Sequence, residues 1–351
     1  MQLVGCTSAP KLMPTSNLYI GATGYPESEV QLTQKRSQID MLYVTDRLPE
    51  SETNQLEYGS GRSASLAFGS AIVEIGKGRD WEQLVKASQT VSKDSAFEMT
   101  VIKRVELGRF PETPYAFVVN KGVPVVNTEI QTQLEKSTLK FRKEINRRLN
   151  LANRKDVIIY IHGFNNTFDD AITNLAGIWH FMGRQGVPLA YSWPAAYGGA
   201  IGYFSDRESG EFTIFHLKNM LRLLASFAEI ENIHIIAHSR GTDVVTTALR
   251  ELIIESRAAG KNPKNCLRVR NLILAAPDLD FSVMRQRLIA EKFGLAFGQV
   301  NIYTAQTDNA LNFAEMIMPG KRLGHLQSKD FGDPDKQIFT AVKNVHIYQC
   351  T

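Results

Sequence analysis

The 351-residue chain holds only three cysteines, Cys6, Cys266 and Cys350. That is too few for a disulfide framework, and their spacing fits no metal site. Apolar runs are short: none reaches the roughly 18 residues that a membrane-spanning helix needs. The net charge of +4 is small for this length and argues little about partners. Two phosphate-cradling signatures are also missing. There is no GxxxxGK[ST], and no strand runs into GxGxxG. What remains is 43% hydrophobic and 22% charged residues, the composition of a packed core, in a length that fits one large domain or two ordinary ones.

The most informative stretch is NIHIIAHSRGTDVVTTALREL, residues 232–252. Ile233, Ile235 and Ile236 form a short strand-like run. After AHSRG, Val244, Val245, Ala248, Leu249, Leu252 and Ile253 fall on one helical face. Ser239 therefore sits on a strand-to-helix turn between the small residues Ala237 and Gly241, the sequence form of a nucleophile elbow. Such a turn strains the serine backbone and leaves no room for large side chains two residues either side. The usual first glycine is replaced here by Ala237. The helix that follows aims its N-terminal N–H groups at the same point.

The chain before this turn begins with Leu3-Val4-Gly5-Cys6, which is similar to a lipobox and would make Cys6 a lipid anchor, although only five residues precede it. Residues 1–35 read as a tether or the remnant of a lipoprotein signal, and residues 36–351 as the main domain. Met41–Arg47, Ala67–Ile75 and Met99–Leu107 read as strands, with a polar loop over 49–65 and no obvious chemistry. They are expected to begin the main sheet, a separate small domain being the alternative. Residues 130–150 form an amphipathic helix whose basic back reads as a solvated face, not a nucleic-acid surface. Val157–Ile161 is a continuous apolar strand, as in a parallel sheet covered on both faces. His162-Gly163-Phe164 follows, with a helix from about Thr167. The Phe164 N–H is the expected oxyanion donor, alongside that of Arg240. His162 precedes the serine and reads as a structural ring that holds the loop. Val187–Trp193 is a strand, 194–210 a loop at the pocket mouth, and Glu211–Ala228 a helix. Strands at Arg270–Ala276, Val300–Ala305 and Asn344–Gln349 complete an α/β alternation, a mostly parallel sheet with helices on both faces and extra N-terminal strands.

A serine hydroxyl needs an imidazole as general base and a carboxylate to fix that imidazole's tautomer. In this chain order the acid follows the serine and the histidine follows the acid. Asp308, in the loop after the Val300–Ala305 strand, is the preferred acid. Asp278 and Asp280, one strand earlier, are the alternatives, with helix or loop capping as their bland role. Only His325 and His346 follow Asp308. Three readings of the base stay open: His325, His346, or a residue beyond Thr351, the last leading because both ends look cut.

The chain resembles bacterial α/β-hydrolases catalogued as a domain of unknown function and often described as esterases or lipoproteins. The resemblance runs from about Asp40 onward. It rests on YVTDR (43–47), YIHGFNNTFDDA (160–171), YSWP (191–194), AHSRGTDVV (237–245), LAAPDLD (274–280) and TDNAL (307–311). It implies the α/β-hydrolase fold and a cofactor-free esterase or lipase-like acyl hydrolase, with Ser239 as nucleophile and Asp308 as acid. It also implies a histidine segment after the last strand, which these 351 residues lack. The expected substrate is a small ester or lipid. Phe164, Trp193, Tyr197, Tyr203 and Phe204 are candidate pocket aromatics. The expected location is the bacterial cell envelope if Cys6 is an anchor, and otherwise the soluble cytoplasm. The alternative function is a non-catalytic envelope lipoprotein that uses the fold as a binding module.

Overall fold

Strand residues one apart face opposite sides of a sheet, and this alternation divides the molecule into two cores. Leu42, Val44, Val157, Ile159, Ile161, Ile233 and Ile235 enter one core. Met41, Tyr43, Ile158, Tyr160 and Ile236 enter the other. The computed structural model describes residues 10–13, 17–20, 24–50, 55–90, 97–195, 198–305, 309–318 and 320–350. Its elements are β1 (Gln38–Glu50), β2 (Glu57–Ile75), α1 (Trp81–Ala87), β3 (Met99–Arg109), β4 (Phe117–Asn120), β5 (Val123–Val126), α2 (Thr128–Leu151), β6 (Asp156–Ile161), α3 (Phe168–Phe181), β7 (Val187–Ser192), α4 (Gly199–Ser226), β8 (Asn232–His238), α5 (Gly241–Ala258), α6 (Pro263–Leu267), β9 (Val269–Ala275), α7 (Phe281–Met284), β10 (Gln299–Ala305), α8 (Asn309–Ile317), α9 (Asp333–Ala341) and β11 (Val345–Cys350).

Nine strands form one sheet in the order β11-β10-β9-β8-β6-β7-β1-β2-β3. Pairing is parallel from β11 to β1, and β2 and β3 continue antiparallel. The N-terminal strands thus extend the main sheet and form no separate domain. From β6 the chain moves to one side, to β7, and then crosses back to place β8 on the other side. Ligand crevices in open α/β sheets form at such a reversal, outside the carboxyl ends of the strands. Here the turns after β6 and β8 lie side by side at that place. α2, α4 and α5 cover one face and α3 the other.

Three local expectations are corrected. The polar loop over 49–65 is largely strand: β1 runs on to Glu50 and β2 starts at Glu57. The loop expected over 194–210 is mostly helix, because α4 begins at Gly199 and continues to Ser226. Gly202, Tyr203, Asp206, Ser209 and Gly210 are its buried positions in that stretch, and small residues among them hide the apolar period. The tether is packed where it is described: Leu12, Tyr19, Tyr25 and Val30 are buried, and the Tyr25 hydroxyl donates to the His180 carbonyl at 2.9 Å. Cys6 lies outside the described residues. The three arginines of α2 are paired, Arg142 on Glu229, Arg147 on Glu144 and Arg148 on Asp40. Among the described residues no helix is long and apolar enough to cross a membrane.

Candidate active site

Ser239 occupies the turn between β8 and α5 with φ +50°. This left-handed conformation is uncommon for a residue with a side chain and marks a strained, over-determined position. The neighbouring strand holds it there. The Ser239 N–H donates to the Ala275 carbonyl at 2.9 Å, and the Ser239 carbonyl accepts from the Thr242 N–H at 3.0 Å and the Thr242 hydroxyl at 2.7 Å. Ala276, on the adjoining strand end, is also left-handed at φ +43°. The serine keeps 8% of its surface exposed.

The two glycines beside it are fixed by close approach. A Cβ on Gly163 would stand 2.9 Å from the Ser239 Cβ. A Cβ on Gly241 would stand 2.3 Å from the His162 carbonyl oxygen. The loop after β6 therefore lies directly on the elbow. The backbone N–H groups of Phe164 and Arg240 make no hydrogen bond among the described residues, so both remain open as donors.

His162 is structural. Its Nε2 accepts from the Trp193 N–H at 3.1 Å and faces an Arg47 guanidinium nitrogen at 3.3 Å. The Trp193 indole N–H donates to the His162 carbonyl at 2.8 Å. Burial, with the Arg47 charge second, holds the His162 pKa well below 6.5. A neutral ring with an occupied Nε2 anchors the loop. Arg47 also donates to the Ser192 hydroxyl and to the carbonyls of Gly59, Ala195 and Asn166. Burial lowers its pKa to about 10, still charged at neutral pH.

The histidine candidates separate. His325 ends a short turn, Leu323–His325, and that segment is zipped onto the loop after β9. Leu323 N–H donates to the Leu279 carbonyl, Gly324 N–H to Pro277, and Phe281 N–H to Lys321. The same loop reaches Ser239 from its other side, where the Asp278 N–H donates to the Ser239 carbonyl at 3.3 Å. His325 is thus held one loop away from the elbow, buried to 8% exposure. Catalytic hydrogen bonds are often long before substrate binds. His346 instead pairs with Asn301 inside β11, three strands from β8, or about 14 Å at the usual spacing. It is not brought to Ser239.

Asp308 lies outside the described residues. Asp278 is buried, accepts from the Tyr203 hydroxyl at 2.8 Å and sits 3.3 Å from Arg322. Burial, then the Asp278 charge, raises the Tyr203 pKa to about 12. Asp280 caps α7 through the Val283 N–H, its bland role. Among the described residues, a carboxylate beside His325 is Glu315, whose Oε1 is 3.1 Å from the imidazole Nδ1. Sequence reading missed Glu315, Arg322 and Arg47. The first two belong to no recognisable spacing. Arg47 stood in YVTDR, a motif assigned no chemistry.

Of the candidate pocket aromatics, Trp193 is core, fully buried against the His162 ring. Tyr203 meets Phe164 edge-on at 5.4 Å, Phe204 is half exposed, and Tyr197 lies outside the described residues. Among the described residues no group of three or more His, Cys, Asp or Glu is placed to hold a metal ion.

Residues 137–347 match a family described as "Alpha/beta hydrolase of unknown function (DUF900)". No curated protein matches. Among solved structures, the chain is similar to esterase B from Lactobacillus rhamnosis, crystallised with a C4-C4 SN3 tributyrin phosphonate. The identity is 12% and the TM-score 0.30, over 56% of this chain and 64% of that one.

Proposed function

The chain belongs to this α/β-hydrolase family, and from that premise we propose that it is a serine hydrolase of carboxylic esters with Ser239 as nucleophile. The observation that carries the reading is the left-handed Ser239 packed on Gly163 between two open backbone donors. A serine is placed at a helix N-terminus with strain that a merely structural residue does not need.

In this reading the Ser239 Oγ attacks the ester carbonyl carbon, and its proton passes to His325. The carbonyl π electrons move onto oxygen, which the Phe164 and Arg240 N–H groups receive as an oxyanion. The intermediate collapses, expelling the alcohol, which takes the proton from His325. Water then repeats the sequence and releases the acid. The substrate class is a small ester or lipid, and no cofactor takes part.

Hydrolysis of p-nitrophenyl esters from acetate to palmitate, with fluorophosphonate labelling, tests this. Ser239→Ala should abolish both. His325→Ala should lower kcat by about a thousandfold, and His346→Ala should leave it within about twofold of the parent. Labelling that survives in Ser239→Ala, or an unreactive parent chain, sinks the proposal. An unreactive parent would leave the fold as a binding module.

A further inference from the structure

Away from the elbow, β4 and β5 form a hairpin that pairs with no other strand among the described residues. All eight of its strand residues are exposed. Six of them, Phe117, Val118, Val119, Val123, Val125 and Val126, are large and apolar. Lys121 and Gly122 have φ of 49° and 79°, as a two-residue type I′ turn requires. Two strands alone are marginally stable in water, and an exposed apolar edge is a template for another strand.

The register shows which edge is open. The Asn127 N–H donates to the Ala116 carbonyl at 2.9 Å. Hydrogen-bonded and non-hydrogen-bonded pairs alternate along an antiparallel ladder. Phe117 with Val126, and Val119 with Pro124, are therefore non-hydrogen-bonded pairs whose backbone groups point out of the hairpin. On β5 the outer edge is blunted by Pro124, which has no N–H. On β4, Phe117 and Val119 each offer an N–H and a C=O, and these groups make no hydrogen bond among the described residues.

We propose that β4 pairs antiparallel with β4 of a second copy of this chain, centred on Val118. Phe117 then exchanges two N–H···O bonds with the partner's Val119, and the two-fold axis repeats the exchange. Four strands replace two, and the blunted β5 edge closes the assembly at a dimer. The charges agree. Glu112, Lys121 and Glu129 are the charged residues over 110–134, all exposed, and their side chains form no ion pair among the described residues. Antiparallel pairing lays the Lys121 tip of each hairpin towards the base of the other, which carries Glu112 and Glu129. A lipid interior fits poorly, because it would leave the backbone groups of both edges unsatisfied.

Sedimentation equilibrium of the full chain, over about 1 to 100 µM, should show a monomer–dimer equilibrium. Val119→Pro removes an outward N–H that makes no bond within the chain. It should abolish the dimer while the urea midpoint stays close to the parent's. Val126→Pro makes the same change on the β5 edge and should leave the dimer intact. Lys121→Glu should weaken it by about three- to tenfold, and adding Glu112→Lys with Glu129→Lys should restore it. In a Cys6→Ser, Cys266→Ser, Cys350→Ser background, Val118→Cys should form an interchain disulfide on mild oxidation. The central non-hydrogen-bonded pair places its Cα atoms about 4.5 Å apart, within disulfide reach. A parent that stays monomeric, a dimer that survives Val119→Pro, a Val118→Cys chain that does not cross-link, or assemblies larger than two overturn the proposal. A monomeric parent that floats with phosphatidylglycerol vesicles would overturn it too, and would assign the hairpin to a membrane.

Discussion

The imidazole of His162 lies flat on the indole of Trp193, with ring centroids 5.0 Å apart and planes 6° from parallel. Each residue also hydrogen-bonds the other's backbone, Trp193 N–H to Nε2 and the indole N–H to the His162 carbonyl. The pair joins the end of β6 to the end of β7 next to Gly163, whose close approach to Ser239 sets the loop against the elbow.

A pH dependence follows. Burial holds His162 neutral, with its pKa well below the ordinary 6.5. Below pH 6.5 the unfolded chain therefore binds a proton here that the folded chain refuses. Stability should fall as pH falls from 6.5 towards the folded pKa, at up to about 1.4 kcal/mol per pH unit from this residue. His162→Gln removes that contribution. The variant should be less stable than the parent at pH 7.5, with the gap narrowing by pH 5. His234, also lowered by burial, leaves a residual slope in both proteins. Urea midpoints at pH 7.5, 6 and 5 measure it; parallel profiles would refute the assignment.

Gly241 gives a sharper structural test. A methyl group there meets the His162 carbonyl at 2.3 Å and the Ile161 carbonyl at 2.8 Å. Both are backbone atoms of β6 and its loop, and neither can swing aside. Gly241→Ala should cost about 1–3 kcal/mol by overpacking, and should lower ester kcat by widening the gap between Phe164 and Ser239. Gly210→Ala, where a Cβ meets only the tip of Val244 at 3.3 Å, is the control and should be much milder. Equal denaturation midpoints for Gly241→Ala and the parent would contradict the close approach.

What could be read in advance divides along the same physical line. The elbow was legible because strand period, turn and helix period meet within twenty residues around Ser239. The buried strand Val157–Ile161 was legible because it is apolar on both faces, and Arg270–Ala276 because its apolar run Leu272–Ala276 follows the same α/β alternation. α4 was misjudged over 199–210 because its buried positions include glycine, serine and aspartate, packed by closeness and hydrogen bonding instead of hydrophobic area. Asp206, for example, accepts from the Asn165 N–H at 2.9 Å. Glu315 was invisible for another reason. Its partner lies ten residues away across a turn, and no local period encodes a side chain that closes a loop.

Arg47 is the last case, and it shows why strands with no evident chemistry matter to the site. Its guanidinium is fully buried and donates to three carbonyls and a hydroxyl, those of Gly59, Ala195, Asn166 and Ser192, and faces His162 Nε2. These partners come from β2, the loop after β6 and the end of β7, so one side chain ties three segments around Ser239. Lysine keeps the charge but offers a single nitrogen at the end of a flexible stem, and it lacks the planar fork that reaches several acceptors at once. Arg47→Lys should leave at least two of the acceptors without a donor, each costing about 1–3 kcal/mol, and lower stability by roughly 2–4 kcal/mol. Because Asn166 lies two residues beyond Phe164, the oxyanion donor should lose its fixed height. Ester kcat should drop more than KM rises. Chemical denaturation and steady-state kinetics on the same preparation check both parts. A variant with parental stability would show that the strands carry these acceptors without the arginine.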